Sequence, residues 1–262
     1  MLVDTHCHLD AAEFDADRLP AAGSAKAAGV GIIVVPAVAC DNFSAVRELC
    51  AAVPICAPAY GIHPLSVAHA QPQDIEALRL TLQAEPAVAV GEIGLDFFVK
   101  GYDAERQTWF FVEQLKLARE RGLPVLLHIR GAADQVLKQL RRIRVNGGIA
   151  HAFNGSLQQA EAFIGLGFKL GFGGAMTWPR ASRIRTLAAQ LPIESIVLET
   201  DAPDIPPAWL GRSGRNAPAQ LPRIAAELAA LRGIPLSEVI ENTTQNALQV
   251  MPELHGYAHH LK

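Results

Sequence analysis

Eight short runs rich in β-branched and aliphatic residues alternate with longer amphipathic stretches along this chain, and that alternation restricts the fold more than any other feature. The runs end at MLVDTH, GIIVVPAV, ICAPAYGIH, AVAVGEIG, LPVLLHI, GGIAHAF, GFKLGFGG and ESIVLETD. Strands separated by helical patterns pair in parallel, because the crossover that returns the chain to the same end of a sheet is usually a helix. The helical stretches are NFSAVRELCAAV, DIEALRLTLQAE, DAERQTWFFVEQLKLARERG, AADQVLKQLRRIR, LQQAEAFIGLG and ASRIRTLAAQL, with PAQLPRIAAELAALRG and PLSEVIENTTQNALQVM after the last strand. In the longest of them Trp109, Val112, Leu115 and Leu117 fall near helical spacing, and Gly122 stands where a C-terminal cap would. Eight such units in 262 residues have the size and rhythm of a (β/α)8 TIM barrel, an α/β fold. The weaker fourth and seventh runs leave a doubly wound open sheet as the alternative. No linker or low-complexity tract interrupts the pattern, so residues 1–262 read as a single domain, with about 251–262 a C-terminal tail.

At 50% hydrophobic and 19% charged residues the chain can bury a large core. Its formal net charge of -3 gives no global pull toward nucleic acid or an anionic membrane, so any phosphate recognition has to be local. No apolar stretch reaches the roughly 20 residues of a membrane helix, and the start lacks the basic and apolar regions of a signal peptide. A cytoplasmic, membrane-free monomer is the expectation. The four cysteines, Cys7, Cys40, Cys50 and Cys56, contain no CxxC pair and read as reduced structural thiols.

In a barrel of this kind the C-terminal ends of the strands carry the chemistry. His6 and His8 end the first run, His63 the third, Glu92 the fourth, His128 the fifth, His151 the sixth and Asp201 the eighth. Side chains alternate along a strand, so His6 and His8 project to one side. Gathering that many polar groups at one mouth without a partner would cost several kcal/mol, which points to a metal site. Imidazole and carboxylate suit Zn, Ni, Mn or Mg, and six strong candidate ligands exceed the needs of one tetrahedral ion. Two divalent metal ions sharing Glu92, roughly 3.5–4 Å apart, could hold a hydroxide between them for a hydrolytic attack.

The motifs DTHCHLD, GIHP, GEIGLD, LLHIR, HAFNGS and LETDAP, in this order from residue 3 to about residue 250, make the chain similar to the TatD-type metal-dependent hydrolases among the amidohydrolase-like barrels. That resemblance implies one ion on His6, His8 and Asp201, a second on His128 and His151, and Glu92 as the bridge. It also implies that Asp201 carries a proton from the attacking water to the leaving group, and that His63 lies on the substrate side.

Other residues are candidates for contact with substrate. Arg130 follows His128 by two positions and should share its side of the strand, where a guanidinium could pair with phosphate or carboxylate. Arg212, Arg215 and Asn216 lie in the glycine-containing GRSGRN loop over the same mouth, whereas Arg141, Arg142 and Arg144 end a helix on the far side. Phe97, Phe98, Phe153 and Trp178 are available either to stack on bases or to pack under loops. The favoured function is a two-metal phosphodiesterase or deoxyribonuclease, with a phosphodiester or a small ester or amide as substrate and single-stranded DNA ends as one candidate. The alternatives are a hydrolase of a carboxylic ester, amide or lactone, including an aminoacyl ester on tRNA, and a non-catalytic metal- or nucleic-acid-binding barrel. The histidines of the tail, His255, His259 and His260, are expected in a frayed terminus.

Overall fold

The computed structural model describes residues 1–258; His259 and His260 of the tail lie outside the described residues. All eight expected runs are strands: β1 (Leu2–Asp4), β2 (Val30–Pro36), β3 (Cys56–Ala59), β4 (Val90–Asp96), β5 (Val125–Arg130), β6 (Gly148–Ala150), β7 (Phe168–Phe172) and β8 (Ile196–Leu198). Around them run α1 (Arg18–Ala27), α2 (Phe43–Ala52), α3 (Gln73–Ala84), α4 (Ala104–Arg121), α5 (Ala133–Arg142), α6 (Leu157–Ile164), α7 (Ser182–Gln190), α8 (Leu221–Arg232), α9 (Leu236–Val250) and the short α10 (His255–Ala258). Every strand pairs in parallel with its neighbour in sequence order, in one group of three and one of five.

Two single bridges close the ring. Tyr60 pairs with Val90 between β3 and β4, and Cys7 with Ala202 just beyond β1 and β8. The Asp201 N–H donates to His6 O at 2.8 Å and the Glu92 N–H to Ala37 O at 3.0 Å, so backbone bonds near both closures run through candidate ligands. A strand order that returns from the eighth to the first excludes the doubly wound alternative, which has two free edges. Every residue of β2 and β4 is buried, as befits strands covered on both faces, and that explains why these runs show no polar alternation.

Inside the barrel Val3, Ile32, Val34, Ala57, Ala59, Leu126, Ile149 and Val197 form one apolar cluster. Its lower end is closed by Val250, Met251 and Leu254, so the segment after α9 is a plug. The expected frayed tail is therefore corrected for residues 251–258, with His255 opening α10 beneath the barrel. Outside the strands, Ile33, Val35, Leu95 and Val125 pack with helix residues such as Phe111, Leu115 and Phe163.

On α4 the buried stripe is Gln107, Phe110, Phe111, Gln114, Leu115, Leu117 and Ala118, while Trp109 is 42% exposed. The expected stripe was one position off at that residue, because the two glutamines face inward. Gln107 accepts from the Asp96 N–H at 2.9 Å and donates to Asp96 O at 3.0 Å. Gln114 does the same for Ile62, at 2.7 and 3.1 Å. These amides take the place of a neighbouring strand and fix the main chain where β4 ends and just before His63. Gly122 caps α4 with φ of 68°, as its position suggests.

Candidate metal centre

The expected ligands converge at the C-terminal mouth. His6 is fully buried, and its Nε2 lies 3.3 Å from His8 Nε2, 3.2 Å from Glu92 Oε2 and 3.7 Å from Asp201 Oδ1. Glu92 Oε1 is 3.0 Å from His128 Nδ1, 3.2 Å from His151 Nε2 and 3.5 Å from His63 Nε2. Three overlapping groups are compact enough to hold an ion: His6, His8 and Asp201; His6, Glu92 and His151; His63, Glu92 and His128. Glu92 stands in two of them, one carboxylate oxygen toward each side.

The donor set fits divalent cations. Among the described residues no lysine or arginine pairs with Glu92 or Asp201, so imidazoles alone face a buried Glu92 and a mostly buried Asp201. Burial, reinforced by the neighbouring His151, drives the His6 pKa down to about 3, which leaves that ring neutral with a free lone pair. Burial also opposes charge on His8, but hydrogen bonding to Glu92 and the nearby Asp201 outweigh it and hold its pKa up at about 9. The same contest raises His128 and His151. Burial pushes the Asp201 carboxyl up to about 6 against the pull of His151 and His8. A cation at the focus of these groups would replace the protons they share.

Local backbone chemistry sets the ligand positions. β4 shifts register between Val90 and Ile93, where Glu92 turns into the mouth. Asp201 has φ of 54° and Ala152, directly after His151, φ of 45°; both are left-handed non-glycine residues of the kind held in place at functional sites. Asp4 is fully buried; burial pushes its pKa up to about 8, although its oxygens accept from the Thr200 N–H at 2.9 Å and the Thr200 hydroxyl at 2.6 Å. It thereby ties β1 to the residue preceding Asp201.

Two carboxylates missed by the sequence reading stand behind the ligands. Asp96 Oδ2 lies 3.1 Å from His128 Nε2, and its Oδ1 accepts the N–H groups of Phe98 and Val99 at 2.9 and 3.1 Å. Burial would raise the Asp96 carboxyl, but His128 and these amides outweigh it and bring the pKa to about 2. Glu199 Oε1 accepts the Ala152 N–H at 2.6 Å and faces His151 Nδ1 at 3.5 Å. Gly171 makes room for it, since a Cβ there would collide with Glu199 Oε2. Such carboxylates orient an imidazole and leave its other nitrogen for the metal.

The substrate-side candidates divide. His63 accepts the Leu65 N–H on Nδ1 at 3.1 Å, so in the neutral ring that burial favours, Nε2 carries the hydrogen. A donor nitrogen cannot ligate a metal, and His63 therefore differs in kind from the other imidazoles of the cluster. Arg130 is half exposed, its guanidinium 4.1 Å over the Phe98 ring and 3.9 Å from Asp96 Oδ2. Arg215 instead clamps Asp17 through two nitrogens at 2.7 and 2.6 Å and donates to Glu13 O, a geometry that engages both terminal nitrogens of its guanidinium. Asn216 is fully buried, with its amide donating to Thr200 O, Asp204 O and Ile205 O. In both cases the polar groups of the GRSGRN loop are spent within the chain, Arg215 on the segment before α1 and Asn216 on the segment around Asp201.

Beside His8, His63 and Glu92 opens a cleft of about 450 Å³ whose rim includes Asp10, Glu13 and Asp204. The family model for TatD-related DNases matches residues 3–252. An uncharacterised metal-dependent hydrolase of Escherichia coli K12, YjjV, is 43% identical over 93% of this chain and 95% of its own. The crystal structure of YjjV, described as a TatD homologue, superposes with a TM-score of 0.92 at 41% identity, covering 96% of this chain and 98% of that one. The human deoxyribonuclease TATDN3 is 32% identical over 97% of this chain and 95% of its own. A variant organophosphorus hydrolase from Deinococcus radiodurans, at 16% identity and a TM-score of 0.69 over 95% of this chain and 92% of that one, shares the fold.

Proposed function

This chain belongs to the family of TatD-related DNases, and from that premise we propose that it hydrolyses phosphodiester bonds with two divalent ions held in the barrel mouth. The observation that carries this reading is the division of Glu92 between two ligand groups: Oε2 toward His6 and His8, Oε1 toward His128 and His151. His6, His8 and Asp201 would hold one ion, His128 and His151 the other, with Glu92 shared. When bound, the ions supply Lewis-acid polarisation of the scissile bond and activation of water. The bond class rests on the family and on the name of the human relative, with Arg130 as the cation on the rim.

The remaining work falls to side chains. Asp201 presents a carboxylate beside His6 and His8 that could accept a proton from water and return it to the leaving oxygen. His63 offers its Nε2–H to a non-bridging phosphoryl oxygen, where negative charge grows in the transition state. Asp96 and Glu199 hold His128 and His151 in place throughout.

Chelated protein reconstituted with Zn, Mn, Mg or Ni should hydrolyse bis(4-nitrophenyl) phosphate. Asp201→Asn should lower kcat by about a hundredfold or more with unchanged circular dichroism. Turnover of 4-nitrophenyl acetate or a lactone without turnover of the diester would replace the phosphodiester reading with carboxylic ester hydrolysis.

A further inference from the structure

The mouth is chemically lopsided. The cleft beside His8 has acids on its rim, Asp10, Glu13 and Asp204, and neither lysine nor arginine in its lining. Beyond His128, on the β4 and β5 side, the loop after β4 presents Phe98, 67% exposed, with Arg130 lying 4.1 Å over its ring. A polyanion whose reacting phosphate sits at the ligand cluster is repelled from the first side and drawn to the second.

Resting on the phosphodiester reading above, we infer that Phe98 and Arg130 form a stacking platform for the nucleobase next to the scissile phosphate. Exposing a phenyl ring of this size on a flexible loop would serve no packing purpose, but this loop is held. Both the Phe98 and Val99 N–H groups donate to Asp96 Oδ1, and the Phe97 N–H donates to Arg130 O at 2.8 Å. Phe97 stacks on Tyr102 at 4.8 Å between centroids and 9° between planes, which supports the loop from within. The other oxygen of Asp96 faces His128 Nε2 at 3.1 Å, so a single carboxylate joins the platform to the catalytic cluster.

The chemistry selects a base. A guanidinium stacked on an arene is a planar, cationic surface that matches a heteroaromatic ring with an attached phosphate. The other aromatic residues near the mouth are committed elsewhere. Phe153 is buried, and Trp178 is partly buried with its Nε1–H tied to Pro206 O, whereas Phe98 is 67% exposed.

Two chromogenic diesters with the same leaving group isolate the base: thymidine 5′-(4-nitrophenyl phosphate) and methyl 4-nitrophenyl phosphate. In metal-loaded protein the ratio of their kcat/KM values should favour the thymidine ester, and Phe98→Ala should lower that ratio by about tenfold through KM, with Phe98→Trp restoring it. A ring that only supports the loop would change both esters alike and leave the ratio where it was; an unchanged ratio in Phe98→Ala overturns the inference while the phosphodiester reading stands. Turnover of neither ester by the unaltered protein removes the phosphodiester reading and this inference with it.

Discussion

Asp96 Oδ2 hydrogen-bonds His128, and Glu199 faces His151 Nδ1 at 3.5 Å while accepting the N–H of Ala152, so their removal should be felt in metal affinity before it is felt in folding. Asp96→Asn and Glu199→Gln are expected to weaken binding by about 10–100-fold in a competition titration against a chromophoric chelator. Gly171→Ala reaches the same end from the opposite direction, because its Cβ would displace Glu199 Oε2. Equal affinity in all three variants would mean that the ligand imidazoles orient themselves. The motifs did contain a signal for these acids: Glu199 precedes Asp201 by two positions and Asp96 follows Glu92 by four, spacings that share a face in an unbroken strand, although β8 ends at Leu198 and β4 shifts register before Ile93. The histidines drew attention first because each is rare in a strand, whereas an acid beside a ligand reads as a loop residue until its partner is seen. Arg215 and Asn216 were illegible for a different reason. A glycine-containing loop of this length can fold over a mouth or down against the chain, and only its contacts with Asp17 and Thr200 decide.

The eight strands and their order were readable because a parallel barrel repeats one unit, and six of the eight repeats end in a histidine or carboxylate unsuited to a core. The helix α1 was not, since RLPAAGSAKA is mostly small residues with buried Ala21, Ala22 and Ala25, too little apolar contrast to show a face. The plug below the barrel was hidden as well. Met251 ends the last long helical pattern and Leu254 lies past it, where chain ends commonly fray, yet both are fully buried against strand residues from around the ring. Leu254→Ala should therefore lower unfolding free energy by about 2–5 kcal/mol in urea titrations. Trp109→Ala, on the exposed edge of α4, should change it by no more than about 0.5 kcal/mol. If the two substitutions cost the same, the segment after α9 does not close the barrel.

At the scale of the whole molecule the centre stores charge whose sign depends on the metal. In the chelated protein His8 holds its proton up to about 9, well above the ordinary 6.5, and Asp4 keeps its proton up to about 8, well above 3.8. Both groups bind protons more tightly folded than unfolded, so between pH 6.5 and 8 the folded state carries more protons and stability falls as pH rises. His6, neutral above about 3 when folded, opposes this trend only near pH 6.5, where the unfolded imidazole is still partly protonated, and adds almost nothing by pH 8. Metal binding reverses the trend, because the proton on His8 must leave before the ion can enter and it leaves more easily at higher pH. The melting temperature of the chelated protein should thus decline from pH 6.5 to 8 while the increment produced by a fixed excess of Zn or Mn grows over the same range. Thermal melts with and without chelator measure both slopes. A chelated protein that gains stability across this interval would show that the imidazoles are not paired with Glu92 and Asp201, and the site would then lack the proton-for-metal exchange on which its loading depends.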